Sequence, residues 1–220
     1  MGGFRQGKIR VLCVDDHPLV RDGISFALQQ QPDMEVAGHA STGAEAFDEF
    51  CRLGPDVTLM DLQLPDVNGT IVIAKIRQLN SKAKVIALTT YSGDVQVSRA
   101  LKAGATGYLL KSMLRTELVN MIRDVHAGLR RIPAEVAVSM AEYHAIDDLS
   151  EREVEVLRSA ASGRSNKLIG AHLAISEDTV KAHMKHIMAK LGASDRTHAV
   201  LIAMKRGFLD GISLSGNLPC

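Results

Sequence analysis

The chain has 220 residues, enough for one or two domains. Hydrophobic residues at 46% and charged residues at 23% exclude a disordered or collagen-like chain, and 26 basic against 25 acidic residues exclude a general polycation. From Asp148 onward ten Lys/Arg stand against eight Asp/Glu, and before it sixteen against seventeen, so nucleic-acid binding must be argued from where the lysines sit.

Five short β-branched runs alternate with amphipathic segments over residues 8–127. Residues 9–14, 35–40, 57–60, 84–88 and 107–110 read as strands. Residues 19–30, 43–53, 70–79, 94–103 and 115–127 read as helices. Thr42 followed by Glu45 fits a capping box opening the second helix. The alternation predicts an α/β unit, a parallel sheet covered on both faces, for which the flavodoxin-like order 2-1-3-4-5 is expected at this length. After Gly128 the rhythm stops, and residues 128–147, containing Pro133, read as a linker that is part helical. Residues 149–208 carry no strand signal and read as four short helices. Ser150 with Glu153 starts the first, and Ser165 or Asn166 caps the second at 167–173. Ser176 caps the third, which runs to Leu191, and Ser194 or Asp195 caps the fourth at 196–206. Two domains are therefore expected, at 8–127 and 148–212.

Cys13, Cys51 and Cys220 are odd in number and widely spaced, which predicts neither a disulfide framework nor a zinc site; Cys13 and Cys51 read as small buried hydrophobes. The longest apolar run is six residues, Ala199 to Met204, and the opening MGGFRQGKIR has no apolar stretch. A cytoplasmic protein without a membrane span is expected.

The first strand ends in Asp15-Asp16 and the third in Asp61. In the order 2-1-3-4-5 these strands are neighbours at the switch point, where ligands bind beyond the carboxyl ends. Two unit charges about 6 Å apart repel by roughly 3 kcal/mol at an effective dielectric near 20. That cost calls for a cation, and oxygen donors suit Mg2+. Thr89 and Lys111 end the fourth and fifth strands at the same edge. A carboxylate, a metal, a hydroxyl and an ammonium on one point suit phosphoryl transfer to the carboxylate. Polar residues commonly end strands, which accounts for any one of these five but not for the set. His17, beside Pro18 at a helix start, reads as a loop residue.

On these residues the segment 8–127 resembles the receiver domain of two-component response regulators. The acidic pair, the stretch MDLQLPDVNG around Asp61, Thr89 at 28 and Lys111 at 50 residues further on, and Tyr108 in GYLLK all match that family's spacing. The resemblance implies Asp61 as phosphoacceptor, with Thr89 and Lys111 holding phosphoryl oxygens and Thr89 and Tyr108 acting as switch residues. It implies a Mg2+ site of Asp15, Asp16, Asp61 and the backbone carbonyl of Gln63, and a sensor histidine kinase as partner.

In the third C-terminal helix Val180, Met184, Ile187, Met188 and Leu191 recur at helical spacing as a core face, with Lys181 and Lys185 on another. Like charges four apart, one near the helix's positive end, oppose local preference by a few tenths of a kcal/mol each and point to an anionic partner. The short helix, tight turn and longer helix form a helix-turn-helix. The stretch from LSEREVEVL to DRTHAV resembles the LuxR-type DNA-binding domain, and the whole chain resembles a NarL/FixJ-type response regulator. That likeness implies base contacts from Lys181, Ala182 and Lys185, and phosphate or sugar contacts from Thr179, Lys190 and Arg196. It also implies a homodimer on double-stranded DNA through the last helix, and a regulator rather than an enzyme. The alternatives are an aspartyl-phosphate phosphohydrolase and a ligand-sensing, quorum-type regulator; the intact set of five crevice residues weighs against the latter.

Overall fold

Strands form here because β-branched runs can be buried on both faces, as a parallel sheet requires. The computed structural model describes residues 7–90, 93–132 and 149–209. In the first unit β1 (Ile9–Val14), α1 (Pro18–Gln29), β2 (Met34–Ala40), α2 (Gly43–Leu53), β3 (Val57–Asp61), α3 (Gly69–Leu79), β4 (Val85–Thr89), α4 (Asp94–Ala103), β5 (Gly107–Leu110) and α5 (Leu114–His126) follow in turn. The sheet is parallel with order β2-β1-β3-β4-β5. On one face Val11, Cys13, Leu59 and Ile86 pack with Ile24 and Leu28 of α1 and Leu118 and Ile122 of α5. Alternate residues such as Leu12, Met60 and Ala87 point to the other face and are also fully buried. Each such side chain contributes about 1.5–3 kcal/mol when fully buried.

Three local expectations are modified. Thr42 caps α2, accepting from the Glu45 N–H at 3.2 Å, but the Glu45 carboxylate reaches one residue further back, to the N–H and hydroxyl of Ser41, both at 2.8 Å. Ser41 offers it two donors where the cap offers one, so the reciprocal box does not close. Cys13 is buried, and burial pushes its thiol up to about 12. Cys51, by contrast, is exposed, because α2 turns Ala46 and Phe50 inward instead. The first unit also runs past residue 127. Tyr108 N–H donates to the Arg131 carbonyl at 3.0 Å, and Arg131 N–H donates to the Thr106 carbonyl at 3.2 Å. These bonds cover the otherwise open edge of β5. The helix expected in the linker lies outside the described residues.

The second unit holds α6 (Glu151–Ala161), α7 (Asn166–Leu173), α8 (Glu177–Leu191) and α9 (Arg196–Arg206). The Ser150–Glu153 capping box is closed in both directions. Ser165, Ser176 and Asp195 are the caps of the next three helices, each accepting from the N–H three residues on. Val156, Leu157, Ile169, Val180, Ile187 and Ala199 form the buried centre. Among the described residues no helix is long and apolar enough to cross a membrane.

The tight turn between α7 and α8 has a local cause. Ala174 takes the left-handed conformation at φ 55°, and the N–H of Ile175 returns to the Gly170 carbonyl at 2.9 Å. A Cβ on Gly170 would lie 2.7 Å from the Ile175 carbonyl oxygen, so this helix needs glycine where the turn folds back. A left-handed residue with a Cβ costs about 1 kcal/mol relative to glycine. Ala174→Gly is therefore expected to stabilise the helical unit by about 0.5–1 kcal/mol, read as a higher urea midpoint. An unchanged or lower midpoint would contradict this.

Candidate functional site

The register builds the crevice. Val14 pairs with Met60, Asp61 with Leu88 and Thr89 with Leu110, so the polar residues that follow these strands share one edge. Asp15 is fully buried and Asp61 is 1% exposed. The Lys111 ammonium bridges them, 2.7 Å from Asp61 Oδ2 and 2.8 Å from Asp15 Oδ2. Asp61 Oδ1 accepts from the Gln63 N–H at 3.0 Å, and Asp15 Oδ1 from the His17 N–H at 3.0 Å. Burial pushes the Asp61 carboxyl above the usual carboxylate range; Lys111 and the Gln63 N–H offset only part of this. Burial also pulls Lys111 down, but Asp15 and Asp61 more than compensate and hold it above the ordinary lysine value.

The loop after Asp61 is fastened at both ends. Asp66 accepts from the N–H groups of Gly43 and Ala44 at 2.8 and 3.1 Å, and Asn68 caps α3 through the Thr70 N–H at 2.9 Å. α3 starts so close to the end of β3 that a Cβ on Gly69 would stand 2.1 Å from the Asp61 carbonyl oxygen. Glycine at 69 thus lets the helix lie against the site.

The structure brings Asp15, Asp16, Asp61 and Lys111 together. Thr89 is buried at the end of β4, and Tyr108 is fully buried in β5. His17, read from the sequence as a loop residue, places its Nδ1 2.6 Å from Asp16 Oδ1 and 3.3 Å from Asp15 Oδ1. The available signal was adjacency to the acidic pair at a helix N-cap, whose non-helical backbone can turn a side chain back over the preceding residues. One donor atom from each of Asp15, Asp16, His17 and Asp61 lies within 4.8 Å of the others. Three carboxylates against one lysine leave excess negative charge, and the donor set fits a divalent cation.

The outward face of α8 carries Lys181, Ala182 and Lys185, all exposed, together with His186, which sequence reasoning did not single out. Lys181 is not placed against local preference after all. Its ammonium lies 3.1 Å from Asp178 and 3.4 Å from Glu177, a favourable pairing along the helix. Lys185 has no ion-pair partner among the described residues. Thr179 is exposed, its hydroxyl 2.7 Å from that of Ser176. Two of the residues expected at phosphates, Lys190 and Arg196, have partners within the unit. Lys190 lies 2.8 Å from the nearly buried Glu153 carboxylate of α6. Arg196 donates to Asn166 Oδ1 at 3.0 Å, to the Ala160 carbonyl at 3.2 Å and to the Arg164 carbonyl. That guanidinium ties α9 to Asn166 of α7, to the last turn of α6 and to the loop that follows it. On α9, Leu201 is 60% exposed.

A parallel α/β unit with an acid-and-lysine crevice at the carboxyl ends of its strands, carried on one chain with a helix-turn-helix unit, defines a two-domain transcriptional regulator. Residues 11–123 match the response regulator receiver domain, and residues 147–203 match the bacterial regulatory proteins of the luxR family. The chain belongs to the response regulators that join a receiver domain to a LuxR-type DNA-binding domain. It is 40% identical over 206 residues to the uncharacterized transcriptional regulatory protein YhcZ of Bacillus subtilis, covering 90% of this chain and 96% of that one. It is 38% identical over 208 residues to the response regulator protein VraR of Staphylococcus aureus, covering 91% and 99%. Among solved structures, the response regulator ChrA of a heme-sensing two-component system is 35% identical with a TM-score of 0.56, covering 92% of this chain and 99% of that one. RcsB from Salmonella enterica serovar Typhimurium, solved on a promoter with the phosphomimetic BeF3−, is 26% identical with a TM-score of 0.69, covering 90% and 99%.

Proposed function

We propose that this regulator is phosphorylated on Asp61 by a sensor histidine kinase and that the phosphorylated form binds double-stranded DNA as a homodimer in the cytoplasm. Residues 8–127, with Arg131 on the sheet edge, act as the phosphoacceptor domain. Residues 128–147 are the linker, and 148–212 bind DNA. The observation that carries the reading is the Lys111 ammonium held between Asp61 and Asp15. An Asp61 carboxylate oxygen attacks the phosphorus of the donor, the donor's bond to phosphorus breaks, and an acyl phosphate remains on Asp61. Asp15, Asp16, Asp61 and the Gln63 carbonyl would hold Mg2+, which when bound neutralises charge on the transferred group.

Lys111 and Thr89 then contact the phosphoryl oxygens. To do so Lys111 gives up its present contact with the Asp61 carboxylate, and this exchange gives the two states different contacts, which any population shift requires. Tyr108, buried in β5 beside this edge, is placed to follow the change. Lys181, Ala182 and Lys185 face the bases, with Thr179 on the backbone. Lys190 and Arg196 serve mainly to hold α8 and α9 in place. Leu201 gives the α9 surface an apolar centre suited to pairing with a second copy. The relatives' transcriptional role and the promoter-bound RcsB support this reading.

The test is incubation of the full chain with acetyl phosphate and Mg2+, followed by intact-mass analysis and DNA titration. One stable phosphoryl group per chain and a 5–150-fold rise in DNA affinity are expected, the size of an ordinary coupling of about 1–3 kcal/mol. Sustained hydrolysis of the donor with no effect on DNA binding would favour a phosphohydrolase and reject the proposal.

A further inference from the structure

The outward face of α8 carries a negative charge that the reading above leaves unused. Asp178 stands one turn before Ala182 and two turns before Lys185, so the three share one row on the helix, and the Asp178 side chain is 90% exposed. Its Oδ1 accepts from the Lys181 ammonium at 3.1 Å. Glu177 lies 3.4 Å from the same ammonium but is only half exposed, in a row that leads through Lys181 to the buried Met184.

An exposed carboxylate on a surface that meets phosphates is repelled by them and lowers affinity for every duplex. It recovers that loss only where the duplex presents a donor, and in the major groove the donors are the amino groups of cytosine and adenine. The ion pair narrows the choice. Within a G·C pair the cytosine amino group donates one hydrogen to guanine O6 and turns the other to the groove, so this donor and acceptor lie about 2.9 Å apart. Lys181 Nζ and Asp178 Oδ1, at 3.1 Å, repeat that spacing with the roles reversed. Guanine N7, beside O6, offers the ammonium a second acceptor. An A·T pair instead sets its amino group between two acceptors, adenine N7 and thymine O4, which repel an approaching carboxylate.

We propose that Asp178 is a specificity-determining residue, its carboxylate accepting from a cytosine amino group while Lys181 donates to guanine O6 of the same base pair. The proposal rests on α8 being the helix that reads bases. The two side chains act as one reader, in which the acid contributes discrimination rather than affinity.

The test selects duplexes from a randomised library with the full chain as wild type, Asp178→Asn, Asp178→Ala and Lys185→Ala, then titrates the selected and unselected sequences at several salt concentrations. Wild type should select a G·C pair at one position and lose affinity about 5–150-fold when that pair is changed. Asp178→Ala should flatten the preference at that position alone. It should also bind unselected duplex severalfold more tightly, with a salt slope steeper by about one, as Lys181 turns to a phosphate. Asp178→Asn should move the preference there to A·T, because an amide pairs with adenine N6 and N7. Simple charge repulsion would tighten all sequences alike in both variants and leave every preference in place, which overturns the proposal, as does a preference lost at an A·T pair. Even then, a preference lost at another position in Lys185→Ala upholds α8 as the base reader. A wild type that selects no sequence, or variants that all keep its preferences, overturn both.

Discussion

Asp61→Asn is expected to abolish phosphorylation by acetyl phosphate and at the same time to raise the chain's resistance to unfolding at neutral pH. The amide has no carboxylate oxygen to form the acyl phosphate, so the loss is complete rather than graded. The stability gain follows from burial. The Asp61 pKa is raised in the folded state, chiefly because burial penalises the charged form. A group with a raised folded pKa contributes stability below its unfolded pKa and loses that contribution as pH rises through the folded one. At pH 7 the ionised Asp61 is thus a net cost, and a neutral amide of the same shape removes it. The gain should shrink in wild-type comparisons made at pH 3, where Asp61 is itself protonated. Intact-mass analysis after acetyl phosphate, with thermal melts at pH 7 and pH 3, reads both effects. Retained phosphorylation, or a clear loss of stability at pH 7, would refute the assignment.

Lys185→Ala and Lys190→Ala should part company, although both lysines lie on α8. Lys185 is exposed on the outward face and unpaired among the described residues. If it reads a guanine edge, its truncation costs about 1–3 kcal/mol, roughly 5–150-fold in affinity, and relaxes the preference at one base position. Lys190 is 2.8 Å from Glu153, whose side chain is 6% exposed. Burial alone would raise the Glu153 pKa, but Lys190 and Ser150 together bring it below the usual glutamate value. The stability this contributes is present at neutral pH and is lost as pH falls through the depressed folded value. Lys190→Ala should therefore lower unfolding stability at pH 7 by roughly 1–2 kcal/mol, given the partial exposure of the lysine. Its DNA affinity should change much less than that of Lys185→Ala. Equal, sequence-independent losses of DNA affinity in both variants, each with a smaller salt slope, would make both lysines phosphate contacts.

Sequence determined what depends on residues close along the chain or on simple alternation. The five strands lie where the β-branched runs lie. The βα alternation points to a parallel sheet, for which the observed order 2-1-3-4-5 is the one expected at this length, and the caps at Ser150 and Ser176 are local pairings of a residue with one three positions on. The convergence of Asp15, Asp61 and Lys111 was legible for the same reason: each ends a strand, and parallel strands put their carboxyl ends on one edge. Only the tertiary structure decided how side chains share partners across elements. Lys190 and Arg196 stand in a sequence that resembles a DNA-contacting surface, yet α6 presents the nearly buried Glu153 to one, and Asn166 with the Ala160 and Arg164 carbonyls accepts from the other. The pairing of Lys181 with Asp178 and Glu177, by contrast, is local to α8 and follows from their spacing of three and four residues. His17 joins the carboxylates because the N-cap backbone turns its ring over them, an orientation set by φ and ψ rather than by residue type. Arg131 reaches the edge of β5 because an unpaired strand edge takes whatever backbone passes beside it.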